Sequence, residues 1–304
     1  MNIAVTSATG RRGRPVVRSL LERGYTDLVL LARSDATLEP ALWRGARVVT
    51  GDLLDVRYVC HATEGIDVLI WITPLPRSSP SPLEDFGRLG DSAAGAIVAN
   101  GIRRVVNLST LGVHLSAPCG VVEGFRRVEG ILDGTPAEIT HLRPGYLMEN
   151  YEDVLEGIRH DGAILLPVSP EAIVPMIAAA DAADLAAAIA TDWEQEGRQR
   201  RVFELHGPND ISFGDAALLL SGQLGRDIPH VRIPPEEARE RLAAHGFSEA
   251  FAALVVEWYA AIDSGLWRPD QPRSPATETQ TPFERYVRYE LAPRIRATQP
   301  IGPR

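Results

Sequence analysis

The chain has 304 residues, 45% of them apolar and 23% charged, a balance that supports a packed core and argues against disorder. A net charge of −9 supplies no basic footprint for nucleic acid, and no apolar run reaches the roughly 18 residues of a membrane span. Cys60 and Cys119 lie far apart with no CxxC, so neither a disulfide framework nor a cysteine-rich metal site is indicated.

In chain order, Asn2 to Thr6 reads as a short buried strand followed by a turn cluster. A helix over Arg14 to Arg23 puts Val16, Val17, Leu20 and Leu21 on one face, and Gly24 stops it. Further apolar runs fall at Leu28 to Ala32, Arg47 to Thr50, Asp67 to Ile72 and Arg104 to Leu108, with helical patterns at Asp55 to Glu64 and Leu83 to Asn100. A helix near Val121 to Leu132 and a strand at Glu138 to Leu142 complete this rhythm. Continuous apolar strands alternating with amphipathic helices predict an α/β fold, a doubly wound parallel sheet covered on both faces.

After about Arg143 the rhythm changes. Helices are predicted over Ile177 to Ala190, Phe213 to Leu224, Pro235 to His245, Ser248 to Ser264 and Phe283 to Leu291. One strand, Val202 to Leu205, returns toward the sheet, and the Pro-rich stretch Trp267 to Pro282 reads as loop. The chain therefore divides into a nucleotide-binding Rossmann-type domain over 1–145 and a smaller, mixed but mainly helical lobe over 146–304 that lies over the carboxyl edge of the sheet and binds substrate.

Ser7-Ala8-Thr9-Gly10-Arg11-Arg12-Gly13 stands directly between the first strand and the first helix. Strand, small-residue turn and helix in that order aim backbone N–H groups and a helix dipole at a pyrophosphate. The loop resembles the Ala-Thr-Gly-x-x-Gly loop of the atypical short-chain dehydrogenase/reductases, in particular their NmrA-like branch. Leu30-Leu31-Ala32-Arg33, Gly51-Asp52-Leu53, Asn107-Leu108-Ser109-Thr110, Arg143-Pro144-Gly145-Tyr146-Leu147-Met148-Glu149-Asn150 and Thr281-Pro282-Phe283 are similar to that branch too. The chain departs at the first glycine of the loop, which is Ser7; serine fits there if its φ stays negative.

An NAD-specific site places a carboxylate after the second strand, where this chain has Arg33 and Ser34. An arginine there clamps a 2′-phosphate, and Arg11 and Arg12 add charge, so NADPH/NADP is the expected cofactor ahead of NADH. Ser7, Thr9, Gly10 and Gly13 are the expected phosphate loop. The resemblance implies that Asp52 and Leu53 border the adenine. Asp52 also reads as a helix N-cap. Thr73 and Pro74 follow the fourth strand and complete the cofactor set.

The wider family reduces ketones with a Tyr-x-x-x-Lys dyad. All 31 basic residues counted as Lys or Arg are arginine here, and no tyrosine lies between Ser109 and Leu132, so that dyad is excluded. Ser109, Thr110 and His114 are the polar groups expected nearest a bound carbonyl. Trp71, Tyr146, Met148, Tyr151 and Trp258, with Tyr259 and Trp267, supply aromatic or apolar surface for a large flat substrate. Some polyketide-tailoring ketoreductases of actinomycetes look similar in lacking the tyrosine. In a substrate of that kind a phenol beside the ketone can stabilise the incipient alkoxide, leaving the enzyme to orient it.

Three readings stay open: an NADPH-dependent ketoreductase acting on a bulky aromatic metabolite, a non-catalytic NADP(H) sensor like some NmrA-like regulators, and a lyase or isomerase with a structural nucleotide. Scattered histidines without HxH or HExxH spacing predict no catalytic metal. A chain opening directly on a strand, with no basic segment before it, predicts a cytoplasmic protein. The expected partner is a small-molecule substrate, not nucleic acid or membrane, with the chain a monomer or weak homodimer.

Overall fold

The computed structural model describes residues 1–34, 45–192 and 200–297. The first half runs β1 (Ile3–Val5), α1 (Gly13–Glu22), β2 (Leu28–Ala32), β3 (Arg47–Thr50), α2 (Val56–Ala62), β4 (Val68–Ile72), α3 (Pro82–Asn100), β5 (Arg104–Leu108), α4 (Val122–Asp133) and β6 (Glu138–Pro144). The second half runs β7 (Tyr146–Leu147), a 3₁₀ segment (Met148–Val154), α5 (Leu155–His160), β8 (Ile164–Leu166), β9 (Ile173–Ile177), α6 (Ala179–Thr191), β10 (Arg201–Leu205) and β11 (Asp210–Ser212). It ends with α7 (Phe213–Leu224), β12 (His230–Arg232), α8 (Pro235–Ala244), α9 (Glu249–Asp263) and α10 (Phe283–Tyr286), which continues through a π-turn into α11 (Ala292–Ala297).

Among the described residues, seven parallel strands form one sheet in the order β10-β6-β5-β4-β1-β2-β3. The strands are apolar throughout because both faces are covered. Ala4, Val29, Leu31, Leu69 and Val105 pack under α2, α3 and α4. The alternate residues Ile3, Val5, Leu30, Ile70 and Val106 pack under α1 and α6. Each such side chain contributes roughly 1.5–3 kcal/mol on burial, which fixes the strand register. Helix α6 lies close because alanines 182, 183, 186, 187 and 190 form its buried face. The strand order reverses between β1 and β4, and loops there open a crevice at the carboxyl ends of the strands.

The returning strand β10 pairs in parallel with β6, Arg201 opposite Thr140 and Leu205 opposite Pro144. The side-chain oxygen of Gln271 accepts the Glu204 N–H at 3.2 Å, and its amide donates to Val202 O at 3.1 Å, so one glutamine stands in for a further strand at that edge.

The structure corrects the sequence reading in the second half. Ile177 ends a strand, not a helix: β9 occupies Ile173–Ile177 and α6 starts at Ala179. Strands β9, β7 and β11 make a small sheet, and β8 and β12 pair separately. Elements of two to five residues carry no period long enough to see in a sequence. Among the described residues no helix is long and apolar enough to cross a membrane.

Candidate nucleotide and substrate site

The loop after β1 is a cradle. Ser7 adopts φ +51°, the left-handed region, which overturns the expectation of a negative φ. Its hydroxyl donates to Ile72 O at 2.9 Å and holds the turn against β4, offsetting the roughly 1 kcal/mol that a side chain costs there. Gly10 N–H donates back to Ser7 O at 2.9 Å. A Cβ at Gly13 would stand 2.2 Å from Ser7 O and 2.8 Å from the Ala8 Cα, so only glycine lets α1 start against the loop. No side chain caps α1; the Arg14 N–H donates to Gly10 O at 3.0 Å, and the start of the helix faces the loop.

The other cofactor candidates sit at neighbouring strand ends. Arg33 and Ser34 are exposed just past β2. Asp52 accepts the Leu54 N–H at 2.9 Å, and Leu53 is buried. The N-cap of α2 is Asp55, which accepts from Arg57 N at 2.9 Å and Tyr58 N at 3.5 Å, so the capping reading of Asp52 fails by three residues. Thr73 is fully buried past β4 with its hydroxyl lacking a hydrogen-bond partner, and Pro74 follows it. The cradle is thus flanked by Arg33 and Asp52 on one side and by Thr73 on the other.

Beside the cradle opens a cleft of about 440 Å³. Ser109 and Thr110, past β5, form its floor, and α8, α9 and the segment between them bring Ala238, Leu242, Phe247, Phe251 and Trp258 over it. The Ser109 hydroxyl is buried and has no hydrogen-bond partner, an arrangement that costs folding roughly 1–3 kcal/mol unless a ligand satisfies it. Trp258 and Tyr259 are the predicted pocket residues that reach the wall. Tyr146 stacks behind Trp258, ring centroids 5.6 Å apart at 9°, with its hydroxyl 3.0 Å from that of Tyr259. Burial raises the Tyr146 and Tyr259 phenols above their usual value, so neither ionises readily. Tyr151 and Met148 are buried behind the same wall, and Trp267 is held by Leu111 O at 2.9 Å.

Two predicted site residues lie elsewhere. Trp71 does not line the cleft and is wholly buried among the helices of the α2–α4 face, because strand side chains alternate and its neighbours Ile70 and Ile72 take the other face. His114 is turned to the buried Glu204 of β10, Nδ1 to Oε1 3.0 Å, and is not among the cleft-lining residues. The other oxygen of Glu204 accepts the N–H groups of Asp270 and Gln271 at 2.6 and 2.8 Å, so the histidine sits against a scaffold that fixes β10.

Sequence reasoning missed the charged rim. Asp153 accepts from Arg11 with one oxygen and from Arg77 with the other, the latter at 3.3 Å. Glu149 is partly buried, and both its oxygens accept the Ala179 N–H at 3.0 Å at the start of α6. Burial pushes its carboxyl up to about 7 despite that bond. Arg12 extends over the Phe125 ring, 5.9 Å to the centroid. Arg77 follows β4 by five residues and was open to notice as a strand-end residue. The partner of Glu149 lies thirty residues downstream, which no local pattern reveals.

Comparison with known proteins agrees with this fold. A family model described as the NmrA-like family matches residues 1–261. An NAD(P)H azoreductase from Xenophilus azovorans is 26% identical over 258 residues, 85% of this chain and 86% of that protein. An NADPH-dependent quinone oxidoreductase from Escherichia coli, solved with NADPH, superposes with a TM-score of 0.75 at 22% identity, covering 94% of this chain and 98% of that one. A triphenylmethane reductase from Citrobacter sp. gives a TM-score of 0.77 at 21% identity over 96% and 100% of the two chains.

Proposed function

The chain belongs to the NmrA-like family, and from that premise we propose that it is an NADPH-dependent oxidoreductase that reduces a ketone or quinone-like carbonyl on a bulky aromatic substrate. The observation that carries this reading is the unsatisfied Ser109 hydroxyl in the floor of an aromatic cleft that abuts the phosphate cradle. The cradle fits a dinucleotide: Gly13 has no room for a Cβ and α1 has no side-chain cap. The relatives agree in kind, since those named above are by name reductases of azo, quinone or triphenylmethane compounds.

In this reading residues 1–145 hold the nucleotide and residues 146–304 supply the outer wall. Backbone N–H groups of the cradle and α1 hold the pyrophosphate, and Arg33 takes the 2′-phosphate. The nucleotide supplies a hydride, and the oxygen of the reduced carbonyl takes a proton. Ser109 and Thr110 donate hydrogen bonds to that oxygen as charge develops on it. Trp258, Phe247 and Phe251 cover the acceptor and exclude water. No Tyr–Lys dyad is present to deliver the proton, so a phenol beside the carbonyl of the substrate fills that role.

The test is loss of the reduced-nicotinamide absorbance against a panel of quinones and hydroxyaryl ketones, after calorimetric titration with NADPH and NADH. Turnover of a ketone flanked by a phenol, lost when the phenol is methylated, supports a substrate-assisted reductase. Tight NADPH binding without turnover across the panel refutes the reductase and leaves a nucleotide sensor.

A further inference from the structure

Arg12 is an unusual side chain for its place. It belongs to the phosphate loop, yet its guanidinium leaves the cradle and lies over Phe125 in the cleft. Its neighbours in charge are Arg77 and Arg11, both repulsive. Asp153 is the carboxylate that acts on it, but the two Asp153 oxygens are committed to Arg11 and Arg77. Among the described residues Arg12 forms no ion pair. The Arg77 guanidinium in turn lies 5.0 Å from the Phe247 ring, which also lines the cleft. A chain of net charge −9 has thus gathered two cations on aromatic faces of the cleft and left one without a carboxylate, although Glu149, Glu152 and Glu156 line the same cleft.

An uncompensated guanidinium at such a site is costly unless a ligand supplies the anion. Burial and the charges of Arg77 and Arg11 pull the Arg12 guanidinium down to about 10, the direction expected of a cation lacking its counter-charge. The pyrophosphate has its own partners in the loop backbone and the uncapped α1, so Arg12 is surplus to that task.

We propose that Arg12, with Arg77 beside it, is a subsite for an oxyanion carried by the substrate, a carboxylate, sulfonate or phosphate on an aromatic acceptor. This rests on the reading of the cleft as the substrate site. The aromatic body lies among Phe125, Phe247 and Trp258, and the anionic substituent meets the fork of Arg12. The subsite selects substrates by charge and sets their orientation above the cradle.

The test needs no turnover. Protein saturated with NADP⁺ is titrated calorimetrically with 2-naphthalenesulfonate and with its neutral analogue 2-naphthalenesulfonamide. The wild type binds the sulfonate about tenfold or more tightly than the sulfonamide, and added salt weakens only the sulfonate. Arg12→Met brings the two probes to within about twofold, while Arg12→Lys, which keeps a positive charge, retains most of the preference. Equal affinities in the wild type overturn the proposal, and so does a preference that survives Arg12→Met. If Arg12→Met instead weakens NADP⁺ binding by the same factor, the guanidinium serves the nucleotide and the proposal also falls. A protein that does not bind NADP⁺ fails the functional reading above at its first step, and the same titration of the protein alone still decides the subsite.

Discussion

Replacing Glu149 with glutamine tests whether burial sets the behaviour of the cleft rim. The Glu149 carboxyl titrates at about 7, raised chiefly by burial and also by Glu152, against the pull of the Ala179 and Glu149 N–H groups and of Arg294. In the unfolded chain it titrates at about 4.3. A carboxyl whose folded value is raised holds its proton more tightly in the native state. Its contribution is therefore intact below about pH 4 and is lost progressively as pH rises toward about 7, where both states become ionised. The full shift corresponds to roughly 4 kcal/mol at 1.36 kcal/mol per pH unit, about 1 of which is already lost by pH 5.

Glutamine stays neutral at every pH and keeps an oxygen to accept the Ala179 N–H. Urea unfolding, followed by tryptophan fluorescence without added nucleotide, reads the effect. At about pH 5 the variant should match the wild type to within about 1 kcal/mol; at about pH 8 the variant-minus-wild-type difference should move in the variant's favour by roughly 2–3 kcal/mol. The comparison between the two proteins cancels the other titrating groups. A variant whose offset from the wild type is the same at both pH values would refute the reasoning.

Other outcomes follow from the same geometry. Gly13→Ala forces a Cβ to 2.2 Å from Ser7 O, so it should cost roughly 2 kcal/mol or more in thermal unfolding and abolish NADPH binding by calorimetry. Ser7→Gly relieves the positive φ while losing the bond to Ile72 O, so its stability should stay within about 1 kcal/mol of wild type, whereas Ser7→Ala keeps the strain and should lose about 1–2. Arg33→Ala should weaken NADPH binding by roughly 10–100-fold and leave NADH unaffected; an equal loss for both would remove Arg33 from the 2′-phosphate site. Arg143 donates to buried Glu129 at 3.0 and 2.6 Å, so Arg143→Met should destabilise by about 3–5 kcal/mol in denaturant unfolding, and adding Glu129→Met should recover much of that.

The cradle was legible because its signals are local. An apolar strand, small residues and a helix within about a dozen positions already imply N–H groups aimed at a phosphate, and Arg33 follows the second strand directly. The main-sheet strands were legible for a related reason: with both faces covered, each reads as an unbroken apolar run. Ser7 shows the limit even there. The residue could be named from the loop, but its φ depends on Ile72 O, supplied by a strand sixty-five residues away.

The cleft was legible in kind, as an aromatic supply, but not in its members. Trp258 and Tyr259 reached the wall, while Tyr146, Tyr151 and Met148 stand behind it and Trp71 is buried in the core without lining the cleft. Which aromatic faces the ligand depends on strand alternation combined with how α8 and α9 lie over the strand ends. His114 was claimed by Glu204 from β10, ninety residues on. Asp153 between Arg11 and Arg77, and Glu149 against Ala179, join segments that only the folded chain brings together. The sequence by itself determined the fold class and the phosphate cradle, because propensity, periodicity and turn chemistry act over a few residues. Tertiary structure alone decided the charge state of Glu149, the isolation of Arg12 and the residues that wall the cleft, because burial and ion pairing depend on distances the chain closes only when folded.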